Sequence, residues 1–334
     1  MSYPNSDVSR WQAAAAALIS GLDAKYSLVE DNTTASGFGF YNAFLQRQNS
    51  EYIYFVNRPP NRDVEIYHNP PSRGGQANST PTQNLVDAFP MKNGKAITDP
   101  TSGYVATNPY ANRDPRFYNS ILFNSTALMP CRYFLNSANA QADVFTYEGT
   151  PPNGFNPANS STGCFSRKMC DFNIAANSGT NAQRGWPLVR YAEILLNYAK
   201  AINEAGQPAL AYPALIELRR RADIDAGTSS QYGLTPGLGQ AQLRDVIRNE
   251  RRVELANADQ RWNDIRRWKI VVPVNNAYIS RIRIVRADTA PNFTYTHNVV
   301  PTIRRHNFHP AMYLLPISDA KIRKVPLLRE NPGW

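Results

Sequence analysis

The sequence predicts a mainly α-helical protein in which tetratricopeptide-like helix hairpins carry long ordered loops and a few short strands. Three observations lead there. Val189, Ala192, Leu195, Leu196, Ala199 and Ile202 recur at helical spacing, Gly206 supplies a stop, and Pro208 opens a second helix. The 25 Pro and 18 Gly, set among 18 Tyr and many Asn, Ser and Thr, indicate long ordered loops rather than idealised short connections. Aromatic and β-branched residues cluster only in short runs, which suits short strands. A chain of 334 residues with 42% hydrophobic residues can bury a sizeable core, as one large domain or two closely joined ones.

Taken in order, residues 6–23 form a helix around Trp11, an alanine run and Leu18, capped by Ser6 or Ser9. Residues 51–56 read as a buried strand or extended edge. The Pro-rich segment 58–81, with its Gly74-Gly75 pair, reads as an ordered loop, followed by a short helix near 84–89. Residues 92–112 and 147–163 are again loop-like, and 117–124 and 132–135 are candidate strands of a small sheet. The stripe at 188–205 and the helix at 208–221 make an αα-hairpin of about 34 residues, the size of a tetratricopeptide repeat. Residues 240–257 and 261–271 form a further helical pair, and 318–324 a short final helix after Pro316.

The formal charge of +10 raises nucleic-acid binding, but the densest basic stretch, 244–269, interleaves its Arg with Glu250, Glu254, Asp259 and Asp264. Such interleaving satisfies charge along helices and argues against a phosphate-binding face, so no nucleic-acid partner is expected. Three Cys allow one disulfide at most, and Cys164 and Cys170 are too far apart in a regular strand or helix to bridge. His306 and His309 are followed directly by Pro310, with no acidic residue or Cys close by, so no metal and no other cofactor is expected. No apolar run is long enough to span a bilayer.

Catalytic patterns are missing as well. Gly237 and Gly239 precede a helix, but Gln242 stands where a dinucleotide loop needs its third glycine, and there is no nucleophile elbow or paired-His zinc signature. Glu193, Glu204, Glu250 and Glu254 lie on predicted helices amid Arg, where ion pairing explains them better than acid/base work. On one helical face Glu250 and Glu254, and at helical spacing Arg261, Asp264 and Arg267, can link the last two long helices, with Trp262 and Trp268 as buried anchors.

Five blocks carry a resemblance to a known family. They are PTQNLVDAFPM at 81–91, NRDPRF at 112–117, WPLVRYAEILLNYAKA at 186–201, IRNERRVEL at 247–255 continued by QRWNDIRRW at 260–268, and YLLPI at 313–317 with a terminal NPGW at 331–334. In this order they resemble the SusD/RagB family over almost the whole chain. Two departures stand out: Lys200 where Glu is usual, and Asn257-Ala258-Asp259 where Glu-Gly is commoner.

The resemblance implies a SusD-like fold, one domain over 1–334, with a helical start plus strand (1–57), a loop-rich ligand side (58–185) and a C-terminal helical region (186–334). It further implies a non-catalytic lipoprotein on the outer face of the bacterial outer membrane. Such a protein would bind an oligosaccharide, or less often a peptide, and deliver it to a SusC-like TonB-dependent transporter. Complete members carry a signal peptide, a lipid-modified Cys and earlier repeat helices, so this reading takes the chain as N-terminally incomplete, with membrane association only through that anchor.

Sugar rings stack their C–H faces on aromatic rings while their hydroxyls need polar partners. The loop aromatics are therefore the candidate contacts: Tyr67, Tyr104, Tyr110 and Phe155 first, within a set that includes Phe38, Phe40, Tyr41 and Tyr147. A helical-repeat scaffold that binds only protein is the alternative of a different class.

Overall fold

The computed structural model describes residues 7–19, 25–125, 144–148, 162–287, 293–299, 306–325 and 327–334. Among these the chain runs through α1 (Val8–Ile19), α2 (Phe38–Asn42), β1 (Tyr52–Asn57), α3 (Asp63–His68), α4 (Gln83–Val86), α5 (Pro115–Ser120), β2 (Ile121–Leu122) and β3 (Phe165–Ser166). It continues through β4 (Gly185–Arg190), α6 (Tyr191–Glu204), α7 (Tyr212–Arg221), α8 (Gln240–Glu254), α9 (Gln260–Arg267), α10 (Val271–Asn275), β5 (Ser280–Arg286), β6 (Phe293–Val299) and α11 (Asp319–Lys324). The fold is mainly helical, as predicted. Its described strands pair in twos, all antiparallel: β1 with β4, β2 with β3, β5 with β6.

The helical layer follows from the stripe read in the sequence. Leu195, Leu196, Ala199 and Ile202 of α6 pack with Leu215 and Leu218 of α7, Leu243 and Ile247 of α8, and Ala15 of α1. The turn after α6 is locally encoded. Gly206 adopts φ +81°, its N–H donates to Asn203 O at 3.0 Å, and the Gln207 N–H donates to Ile202 O at 3.1 Å. These are the two bonds of a Schellman C-cap, which satisfy the last carbonyls of the helix. A second core gathers Phe40, Tyr41, Phe44, Phe165 and Phe172, and a third gathers Val86, Phe89, Tyr110, Phe117, Ile282 and Ile284.

Several expectations are corrected. Residues 117–120 are helix, not strand, because Asp114 caps α5 by accepting from the Arg116 N–H at 2.8 Å and Pro115 occupies the first turn. Only Ile121 and Leu122 are strand, paired with Phe165 and Ser166; the 132–135 strand lies outside the described residues. The 58–81 loop contains α3 and a 3₁₀ turn at Pro71–Arg73. Residues 188–190 are strand, and α6 begins at Tyr191, since β1 takes up their pairing. The β5–β6 hairpin was not expected, although Ile282 and Ile284 alternate with Arg281 and Arg283 in the period of two that strands require.

Two loops meet backbone to backbone at Gly94 and Gly233. Both adopt positive φ, and a Cβ would come within 2.3 Å of Tyr232 O at the first and within 2.3 Å of Asn93 O at the second. Buried Arg219 reaches both loops, donating to Gly94 O at 3.2 Å and to Tyr232 O at 2.9 Å.

The apolar stripe of α8 continues into charge. After Leu243 and Ile247, the same face presents Glu250 and Glu254, both buried. Glu254 accepts from Arg116 at 3.1 Å, Arg190 at 2.8 Å and Arg221 at 2.5 Å; Glu250 accepts from Arg116 at 2.6 Å and Arg219 at 2.9 Å. Asp114 completes Arg116, and Glu51 pairs with Arg190 and Arg221. The β1–β4 ribbon puts Tyr52 opposite Arg190, which brings Glu51 into this hub. Burial opposes ionisation of Glu254, and Arg221, Arg190 and Arg116 override it, holding the carboxyl below the usual range. Lys168 closes one side, donating to Glu254 O and Ala256 O at 3.0 and 2.8 Å.

The hub corrects the sequence-based pairing. The structural role of Glu250 and Glu254 holds, but their partners come from α5, β4 and α7 rather than α9. Among the described residues the ion pair between α8 and α9 is Arg251 with Asp264, bidentate at 3.0 and 3.2 Å. Trp262 is half exposed, with Phe308 edge-on to it, because α9 turns that side outward to meet the C-terminal segment. Trp268 is only partly buried. Cys164 and Cys170 are both buried and are not bridged to each other.

Candidate functional site

The structure separates the sequence candidates. Tyr110 is buried in the third core, its ring stacked on Phe117 at 6.0 Å and edge-on to Tyr295 at 5.6 Å, so neither face is open. Phe40, Tyr41 and Tyr147 are likewise buried. Tyr67 on α3 is 48% exposed. Tyr104 is half-buried, with the Arg113 guanidinium 5.8 Å from its ring and its hydroxyl 3.4 Å from His297 Nε2. Tyr104 and Tyr110 share a neighbourhood through Arg113 and the hairpin, and among the described residues no hydrogen bond or ring contact links either to Tyr67. Phe155 lies outside the described residues.

Two clefts compete. The first, about 460 Å³, lies between α1, α6, α8 and the end of α9, and holds Trp11 and Trp268. Their rings are already engaged. Lys200 sits 5.4 Å from the Trp11 ring and 5.9 Å from Trp268, and Arg248 lies 5.1 Å from Trp268. Arg244 is held by Glu204 at 2.5 Å. Burial, then Arg267 and Arg251, push Lys200 down to about 8. The departure at Lys200 thus builds a cation–aromatic stack, and a flat ligand finds its platforms covered.

The second cleft is a groove of about 580 Å³ between α4, the α8–α9 junction and the loop from α10 to β5. Asn84 builds one wall: its Nδ2 donates to Tyr278 O at 3.2 Å, and its Oδ1 accepts from the Ser280 N–H at 3.0 Å. These bonds hold the loop so that Tyr278 stands at the groove 48% exposed. Arg252 donates to Asn84 O at 2.7 Å, and Asp87 accepts from Gln83 Nε2 at 2.6 Å. Arg261, Asn257 and Asn275 also line the groove. Asn257 and Asp259 adopt φ +55° and +59°, conformations that Asn and Asp tolerate better than most residues, which accounts for their standing where Gly is commoner. A volume of this size with a half-exposed ring and several amide and charged groups suits a small polar ligand. Among the described residues no cluster of His, Cys, Asp and Glu could hold a metal, and no helix is long and apolar enough to cross a membrane.

Sequence reasoning missed Tyr278. The signal was present, since it follows Asn275-Asn276-Ala277, but residues 276–279 could be seen as a loop only once the hairpin after them was recognised.

Comparisons with known proteins agree with this architecture. SusD-like protein P2 of Formosa agariphila is 30% identical over 165 residues, which cover 48% of this chain and 28% of that protein. A SusD-like protein from Bacteroides fragilis superposes with a TM-score of 0.75 at 24% identity, over 97% of this chain and 62% of its own. A SusD-like carbohydrate binding protein from the same species gives 0.67 at 20% identity, over 96% of this chain and 61% of its own. This chain therefore spans less than two thirds of the length of each. The sequence pattern of the SusD family runs through residues 39–334, from α2 to the last residue, and the chain belongs to that family.

Proposed function

We propose that the chain binds an oligosaccharide, without cleaving it, in the groove walled by Asn84, Arg252 and Tyr278, and that the whole protein presents it to a SusC-like TonB-dependent transporter at the bacterial outer surface. The observation that carries the reading is the exposed Tyr278 ring beside amide and charged side chains in a groove of about 580 Å³. A ring face takes the C–H side of a sugar, and the amides and Asp87 take its hydroxyls. Family membership supports the surface location and the transporter, and the carbohydrate-binding relative supports the ligand class. Tyr67 and Tyr104, both accessible, are proposed as outer contacts for longer ligands.

A glycan array on the purified chain, followed by calorimetry, tests this. Tyr278→Ala should weaken binding of the best glycan by about 1 to 3 kcal/mol, as for an interface hot spot, with the melting temperature nearly unchanged. Normal binding by that variant would place the ligand elsewhere. Chromatography should show the bound glycan intact after long incubation; steady release of shorter sugars would overturn the non-catalytic reading.

A further inference from the structure

We propose that the groove selects an anionic oligosaccharide, one bearing carboxylate or sulfate groups, through the guanidiniums of Arg252 and Arg261. This rests on the glycan-binding reading above. The molecule's treatment of its other arginines carries the argument. Buried Arg116, Arg184, Arg190, Arg219, Arg221 and Arg251 each meet a carboxylate. Buried Arg113 instead donates to the carbonyls of Pro109, Val86 and Phe89 at 2.9, 2.7 and 2.7 Å.

Buried Arg167 donates to Tyr118 O at 2.8 Å and lies over the rings of Tyr41 and Phe172, whereas Arg252 and Arg261, partly buried, stand side by side in an open groove. Among the described residues Arg252 makes one hydrogen bond, to Asn84 O at 2.7 Å. Arg261 forms no ion pair among the described residues, and Asp264, three residues on, accepts from two nitrogens of Arg251. The two line the same groove. Burial and the charge of Arg261 push Arg252 down to about 10, with Asp87 offsetting only part. Two partly desolvated like charges lining one groove are relieved by an anion between them, and a planar guanidinium matches a carboxylate or sulfate through paired N–H bonds. Tyr278 supplies the flat surface for the ring that carries the anion.

The test uses matched pairs on the intact chain: oligogalacturonate against its methyl ester, and a sulfated carrageenan oligosaccharide against its desulfated form. One charged member should bind at least about tenfold more tightly than its neutral partner at low salt, the range of charged hydrogen bonds. The pair that shows the preference tells carboxylate from sulfate. That preference should shrink at high ionic strength. Arg261→Gln, and separately Arg252→Lys, should bring it within about threefold, by the same conversion, while melting temperatures confirm folding. If neutral and charged members bind equally and Tyr278→Ala abolishes both, this inference falls and the glycan reading survives. If a wider array is also silent, both fall.

Discussion

Glu254 accepts from three guanidiniums in a site closed to water, so its ionised form is what the surrounding structure is built to hold. Glu254→Gln keeps the shape and removes the charge, leaving Arg190 and Arg221 short of an acceptor. It should cost about 3 to 5 kcal/mol, as for breaking a buried pair, measured by denaturant unfolding. The pH dependence follows from the lowered folded-state value. The unfolded carboxyl titrates near 4.5 and the folded one lower, so the stabilisation is present above pH 4.5 and is lost as pH falls below it. The gap between wild type and Glu254→Gln should therefore narrow on acidification, and a constant gap would contradict this assignment. The sequence showed that Glu254 lies on a helix amid Arg. It could not show which Arg, because Arg116 and Arg190 are brought to it by a capped helix and a strand register from elsewhere in the chain.

Turns and hairpins decide how far local sequence reaches. Gly206 ends α6 with open space around its absent Cβ, so Gly206→Ala meets only the penalty of a left-handed backbone, about 1 to 2 kcal/mol. Gly233 has a similar φ but faces Asn93 O, so Gly233→Ala should cost clearly more; equal melting temperatures would show that the two loops can part freely. The α6 turn was legible because its helix, stop and proline lie in one stretch of chain. The hairpin's alternation was equally local and was passed over, with seven paired positions from Ser280–Val299 to Arg286–Phe293. The groove was not legible at all. Its walls, Asn84 and Tyr278, are 194 residues apart, and no spacing rule connects them.

Across the whole molecule, the hub joins segments that the sequence presents as separate: Glu51 before the loop-rich region, Arg116 and Lys168 within it, Arg190, Arg219 and Arg221 after it. Its longest ion pairs span 139 residues for Arg190 with Glu51, 170 for Arg221 with Glu51 and 138 for Arg116 with Glu254, while Arg221 with Glu254 spans 33. Contacts of such separation carry a large closure cost and are expected to form after the α6–α7 hairpin, whose contacts are local. A group that becomes paired only after the rate-limiting step influences how fast the native state is left rather than how fast it is reached. In stopped-flow chevrons, Glu254→Gln should thus steepen the loss of native protein, raising the unfolding rate with the refolding limb almost unmoved, whereas Leu196→Ala in the hairpin core should slow refolding. The buried charges then act as a late-closing latch: they set the lifetime of the folded protein once the helices have already found one another.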